Sequence, residues 1–325
     1  MGCHGSSRTV SPEHSDAQRS TEGTQGALQM GLGPRYWAMS SDQVINILKD
    51  ERCIVETAMN ITTDGSSKMR DVVQQIVVPT TKGSGKGYAL FLNHENPLKA
   101  SVMVSHAWDE YYRDFAHALR AAGLPGPFWI CAFAIYQPED LPELTIAKQL
   151  GSDPETGPFA NVLRGAEMML CVVTTSCNIY TRMWCVFEMY TAMQIGVPVK
   201  MFGFAISPAG MPGIRAGEIT NDPIKDTCGT GVDAASARCG HPSLPLNKDE
   251  EAIRRSIESM PGGYGAVDVA VEEAKLQYLK DTLNSEELQG RAKMLAGRPF
   301  TEDPRDVYIE AIRVVEERLK TLQAA

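Results

Sequence analysis

The sequence predicts an α/β protein: a flavodoxin-like parallel sheet with helices on both faces, plus a C-terminal helical extension. Three observations predict it. Short, continuously apolar runs recur at residues 101–104, 128–134, 168–174 and 197–202. Segments with helical spacing lie between them. Strands buried on both faces read as unbroken apolar runs, and their alternation with helices is the pattern of a covered parallel sheet. Third, residues 304–322 place Val307, Ala311, Ile312, Val315, Leu319 and Leu322 on one helical stripe beyond the alternating part.

Residues 1–39 read as a disordered tether, because Ser, Gly, Thr and Gln dominate and large apolar side chains are few. The chain opens Met-Gly-Cys-His-Gly-Ser. No apolar h-region of a secretory signal follows. The opening fits the N-myristoylation pattern with Gly2 as acceptor, and Cys3 is a palmitoylation candidate beside it. Two acyl chains anchor a protein stably where one does not.

Residues 40–98 read as an N-terminal helix and strand extension. Ser40, Ser41 or Asp42 can cap a helix over 40–60, with Val44, Ile47, Leu48 and Cys53 on its apolar side. Val72, Val73, Ile76, Val77 and Val78 follow, ending at Pro79. The stretch from Thr80 to Gly87 looks like a phosphate loop but lacks its first glycine and its Ser or Thr after the lysine, so it reads as a turn.

Residues 99–260 read as the α/β domain. The first strand ends in Ser105-His106-Ala107-Trp108-Asp109-Glu110. A helix with Tyr112, Phe115, Ala116 and Leu119 on one face follows and closes at Gly123-Leu124-Pro125-Gly126. After the second strand, residues 136–158 form a long polar loop enclosing one short helix, and 159–165 a further helical turn. The third strand leads into a helix that closes at Gly196, and the fourth strand follows. Residues 205–247 are rich in Gly and Pro and read as loop. A helix with Ile253 and Ile257 inward starts near Leu246, and residues 261–325 form the C-terminal helical segment. This tail has two options: packing on the α/β domain or pairing with another chain.

Bulk properties narrow the function. A net charge of −9 argues against a nucleic-acid or polyanion binder. The longest apolar run, residues 128–136, is far shorter than the ~18–20 residues of a membrane span. Among the eight cysteines, Cys131, Cys171, Cys177 and Cys185 fall in apolar runs and read as core residues of a reducing compartment. The spacing of Cys228, Cys239 and His241 matches no common zinc pattern, so no metal is expected.

The chemistry concentrates in residues 179–190. Trp184 and Glu188 stand four apart and share a helix face in the most apolar part of the chain. A carboxylate there needs either a partner or a task, because burying it unpaired is costly. In parallel sheets ligands bind outside the carboxyl ends of the strands. The 105–109 strand end and Glu188 can therefore meet over one crevice. Trp108, Trp129 and Trp184 can wall a flat ligand or fill the core. His106 can contact substrate or be a hydrogen-bonded structural histidine. Ser105 can bind substrate or cap the next helix. Cys185 reads as packing, with no orienting His or Asp beside it in the sequence.

The Ser-His-Ala-Trp strand end, the Trp129-Ile-Cys-Ala-Phe strand, the Pro158-Phe159 step and the helix Arg182-Met-Trp-Cys-Val-Phe-Glu188 together resemble TIR (Toll/interleukin receptor) domains, in particular their divergent forms in microbial eukaryotes. The resemblance covers roughly residues 99–205. The first strand end departs from the usual continuation, and the 136–158 loop is long. The resemblance implies one of two activities. The first is an NAD glycohydrolase that cleaves the nicotinamide–ribose bond, activated by self-association, with Glu188 catalytic. Ser105, His106, Trp108, Trp129 and Trp184 are then the substrate-binding candidates, and NAD is substrate with no further cofactor. The alternative is a non-catalytic signalling scaffold, tethered at the cytoplasmic face of a membrane by its acylated N-terminus. A weaker third reading is a sensor that holds NAD or a product without cleaving it.

Overall fold

The computed structural model describes residues 31–48, 67–174, 178–204, 231–239, 245–246, 248–295 and 303–324. Four strands, β1 (Val102–Ser105), β2 (Phe128–Ile130), β3 (Met168–Thr174) and β4 (Val199–Phe204), form one sheet in the order β2-β1-β3-β4. All three pairings are parallel. Ser105 closes β1 opposite Cys171 of β3. The chain is thus an α/β protein of flavodoxin-like order, with its topological switch point between β1 and β3.

Alternate strand residues supply two separate cores. Met103, Trp129, Met169, Cys171 and Met201 face one helical layer, whereas Val102, Val104, Phe128, Ile130, Leu170 and Val172 face the other. The period-2 geometry of strands sends neighbours to opposite faces, so continuous apolar runs are what a sheet covered on both sides requires.

The second layer holds α1 (Ser41–Ile47), α2 (Met69–Val72), a π-helical turn over Val73–Val77, α3 (Val78–Thr81), α4 (Tyr88–Leu92), α5 (Tyr112–Ala121) and α6 (Cys131–Ala134). Ser40 caps α1, accepting from the Gln43 amide while the Gln43 side chain accepts from the Ser40 amide. Most of the 40–60 helix expected from the sequence lies outside the described residues. The apolar run before Pro79 is helical, which corrects the strand expected in this extension. Val72, Val73, Ile76 and Val77 are buried at helical spacing. The Asp71 carboxylate accepts from the Lys68 amide and starts the helix. A proline ring clashes with the carbonyl four residues back, and the π turn directly before α3 relieves that clash.

The first layer holds α7 (Ile146–Leu150), α8 (Pro158–Leu163), α9 (Met183–Ile195), α10 (Lys248–Ser259) and α11 (Gly263–Leu283). α12 (Glu286–Leu295) and α13 (Pro304–Ala324) complete the chain. α9 ends where the sequence placed its stop, on Gly196 in the left-handed conformation. β2 is shorter than expected. It lies at the end of the strand order beside β1, with Met39 bridged to Phe128 on its other side; the β1 pairing ends at Val104 opposite Ile130, and residues 131–134 turn into α6.

Of the two options for the tail, the structure shows packing within the chain. α13 lies on α11 through Ala311, Val315 and Leu319, and α11 lies on β4 and α9. Val307, expected on the inner stripe, is 43% exposed, and Tyr308 takes the inward place on that turn.

Candidate active site

A cavity of about 210 Å³ opens at the carboxyl end of the sheet. Its walls come from the segments that follow β1, β2 and β3: His106 and Trp108, then Cys131, Ile135 and Gln137, then Arg182, Trp184, Cys185 and Glu188. These are the crossover points at which an open parallel sheet leaves room for a ligand.

Glu188 reaches this wall from a helix that is buried on nearly every side, including Cys185, Val186, Phe187, Met189 and Ala192. It is 3% exposed, and its Oε2 has no hydrogen-bond partner. Burial pushes its carboxyl up to about 7, partly offset by the neighbouring Ser105 hydroxyl and by His106. Ser105 Oγ is fully buried beside Glu188 without a hydrogen bond of full geometry to any group. Trp184 stacks on Phe159 at 4.7 Å, and Phe159 meets Trp129 edge-on at 5.0 Å. Trp184, Phe159 and Trp108 therefore line the cavity, while Trp129 stands behind Phe159 in the core and does not. Of the sequence candidates, His106, Trp108, Trp184 and Glu188 come together on the cavity wall, and Ser105 lies directly behind it.

His106 and Glu110 form a buried pair, with Nδ1 to Oε1 at 3.0 Å. The other ring nitrogen, Nε2, meets Cys131 Sγ at 3.4 Å. Burial pushes the Glu110 carboxyl up, against the pull of His106. Burial likewise opposes the charged imidazole, but Cys131 and Glu110 outweigh it and hold His106 well above its ordinary value. The turn that carries this pair is fixed from outside. Met69 and Arg70 donate their amides to the carbonyls of Glu110 and Trp108, and the Asp109 carboxylate is ion-paired with Arg70.

Comparison with protein-family models, with curated proteins and with solved structures finds no match.

The rim contains residues the sequence did not mark. Residues 231–239 run back over the start of α9: Met183 donates to the Arg238 carbonyl, and Arg238 to that of Thr181. Glu250 of α10 clamps this segment. Its carboxylate accepts from Arg238 Nε at 2.6 Å, the Cys239 amide at 3.0 Å and Arg254 at 3.2 Å. Burial would raise the Glu250 carboxyl, but these donors outweigh it and hold it below its ordinary value. Arg182 is held more loosely, 3.9 Å from Asp109, with one donor to the Cys239 carbonyl. On the opposite side the 136–150 loop is locked by Gln149, which accepts from the Tyr136 amide and donates to the carbonyls of Tyr136 and Leu144.

The expected turn at 82–87 is present and tied down: the Gly83 amide donates to the Tyr136 hydroxyl and to Asp140. Gly87 permits a close approach, since a Cβ there would lie 2.0 Å from the Ala134 carbonyl oxygen. Among the described residues no group of three His, Cys, Asp or Glu side chains is placed to hold a metal. Cys228 and His241 lie outside the described residues, as do Gly2 and Cys3.

Proposed function

We propose that this cleft binds the nicotinamide ribosyl end of NAD and that Glu188 supports cleavage of the nicotinamide–ribose bond, as the resemblance to TIR domains implies. The observation that carries the reading is a buried carboxyl without a full set of hydrogen bonds, on an aromatic cavity wall at the carboxyl ends of parallel strands. Nicotinamide leaves a cationic pyridinium as a neutral molecule and needs no general acid, unlike an ordinary glycoside. The remaining demand is stabilisation of positive charge growing on the ribose, which one fixed carboxylate meets. Trp184 and Trp108 offer flat faces to the nicotinamide ring. Arg182 and Arg238 line the same cavity and complement a diphosphate.

The cavity is smaller than the about 300–1,000 Å³ of typical ligand pockets. Only the reacting end of the dinucleotide is enclosed, and the adenosine end extends from the mouth. A bound pyridinium cation favours the ionised form of Glu188, which burial, offset by Ser105 and His106, holds at about 7. Self-association as the activating step belongs to the same proposal; acyl anchoring through Gly2 and Cys3 at the cytoplasmic face of a membrane goes with the scaffold reading. Among the described residues no helix is long and apolar enough to cross a membrane.

The test is nicotinamide release by concentrated wild-type protein beside Glu188→Ala, with circular dichroism on both. Loss of a transition-state electrostatic partner costs about 10²–10³ in turnover. Release by the wild type alone, with both proteins folded, supports the assignment. Absence of release from either, even when clustered on vesicles, would favour the scaffold reading, in which Glu188 is architecture.

A further inference from the structure

We propose that Cys131 is a nucleophilic thiol, activated by His106 and Glu110, that takes electron-poor alkenes such as enones and maleimides by conjugate addition. The inference stands apart from the NAD reading and rests on three side chains that the topology gathers from two strand ends.

Cys131 is the first residue after β2, and His106 the first after β1. Glu110 Oε1 lies 3.0 Å from Nδ1 and orients the ring so that Nε2 faces Sγ at 3.4 Å, where the proton of the thiol–imidazole pair is shared. His106 is 4% exposed and Glu110 fully buried, so neither swings away into solvent. A nucleophile, a base within reach and a third group orienting the base is the arrangement by which side chains are activated for covalent chemistry. Cys131 is half-buried and opens on the cavity.

The other described cysteines have no imidazole beside the sulfur. Burial pushes the Cys171 and Cys239 thiols up to about 12 and the Cys185 thiol well above its ordinary value. Glu188 pushes Cys171 and Cys185 further up, and Glu250 does so for Cys239. Among the described cysteines, Cys131 is the one whose sulfur meets an imidazole.

The cavity selects the electrophile. Ile135, Leu150, Phe159 and Trp184 present apolar and aromatic surface to a flat, uncharged molecule. Conjugate addition asks only for a nucleophile and a proton carrier. The Sγ proton passes to His106 Nε2, and the sulfur lone pair forms a C–S bond at the β-carbon. The alkene π pair moves onto the α-carbon as an enolate, which takes the proton back from Nε2. One S–H and one C=C are consumed, one C–S and one C–H are made, and neither an oxidant nor a leaving group is involved. Because Glu188 lines the same cavity, the adduct also occupies the site proposed for NAD.

The experiment exposes the full chain to limiting N-ethylmaleimide and measures labelling of each cysteine by peptide mass spectrometry. It compares native protein with the same protein in urea at one pH. Enclosure alone slows a thiol, so a native Cys131 that reacts faster than its unfolded counterpart, and about a hundredfold faster than Cys239, establishes activation. A native rate equal to or below the unfolded rate overturns the proposal. His106→Ala should lose most of the advantage, and added imidazole should restore part of it. A loss that imidazole does not restore would assign His106 to packing and overturn the base role. Should His106→Ala fail to fold, the native-to-unfolded comparison decides alone.

Discussion

Glu188 carries a testable signature that does not depend on any substrate. Its carboxyl titrates near 4.5 when exposed and at about 7 in the fold. The folded protein therefore holds a proton that the unfolded chain has already released. Stability contributed by this group falls as pH rises from about 4.5 to 7, and stays lower above that. Replacing Glu188 by Gln removes the penalty. The stability difference between Glu188→Gln and wild type should shift by about 3 kcal/mol in the variant's favour between pH 4 and pH 8. Urea denaturation at the two pH values checks this, and a pH-independent difference would show that Glu188 is solvated. A residue that weakens its own fold at neutral pH is one expected in a site. This much was legible in the sequence, because Trp184 and Glu188 lie four apart on one helix. The Cys131–His106–Glu110 chain was not. His106 and Glu110 stand four apart at one strand end and Cys131 leads away from the next, so the signal was topological rather than local. Cys185, adjacent to Trp184 in sequence, has its thiol on the His106 carbonyl and is packing, as its neighbours suggested.

At the scale of elements, the alternation of apolar runs with helices gave the sheet and its order of layers, whereas the rim stayed hidden. Residues 231–239 carry little periodicity, and their position is set by Glu250 on α10, by Arg254 and by Asp268 of α11, which accepts from the Ala234 amide. Glu250→Gln removes a buried charge while leaving two arginines in place. Such a loss costs about 3–5 kcal/mol when the remaining partners are buried, and the low end applies here because Arg238 and Arg254 are partly exposed. The variant should unfold at lower urea and expose the 231–239 segment to limited proteolysis first. The wild-type clamp also has a pH sign. Since the folded carboxyl titrates below its ordinary value, its stabilisation is complete above pH ~4.5 and is lost as pH falls through the folded value. The π turn before Pro79 was equally hidden, because β-branched residues at 72, 73, 76, 77 and 78 suit a strand as well as a helix until tertiary packing chooses.

At the scale of the whole molecule, the apolar contact that seats α13 on α11 also carries a buried ionic group. Glu272 of α11 is fully buried, and its two oxygens accept from Lys275 at 3.0 Å and from Arg318 of α13 at 3.2 Å. The stripe of α13 showed that a partner face existed, but not which helix would cover it. The ionic group adds a polar match to that apolar contact, since Arg318 of α13 gives the second oxygen of Glu272 a donor that Lys275 does not supply. Two variants separate its roles. Glu272→Ala takes away the carboxylate that Lys275 and Arg318 share and should cost about 3 kcal/mol. Replacing Glu272, Lys275 and Arg318 together by leucine removes all three of these charges at once. A buried ion pair exchanged for apolar contacts is often neutral or stabilising. The triple variant should therefore recover most of the stability lost by the single one in thermal denaturation. If the triple variant falls as far as Glu272→Ala, the pairing geometry itself, rather than the avoidance of an unpaired charge, holds α13 on α11.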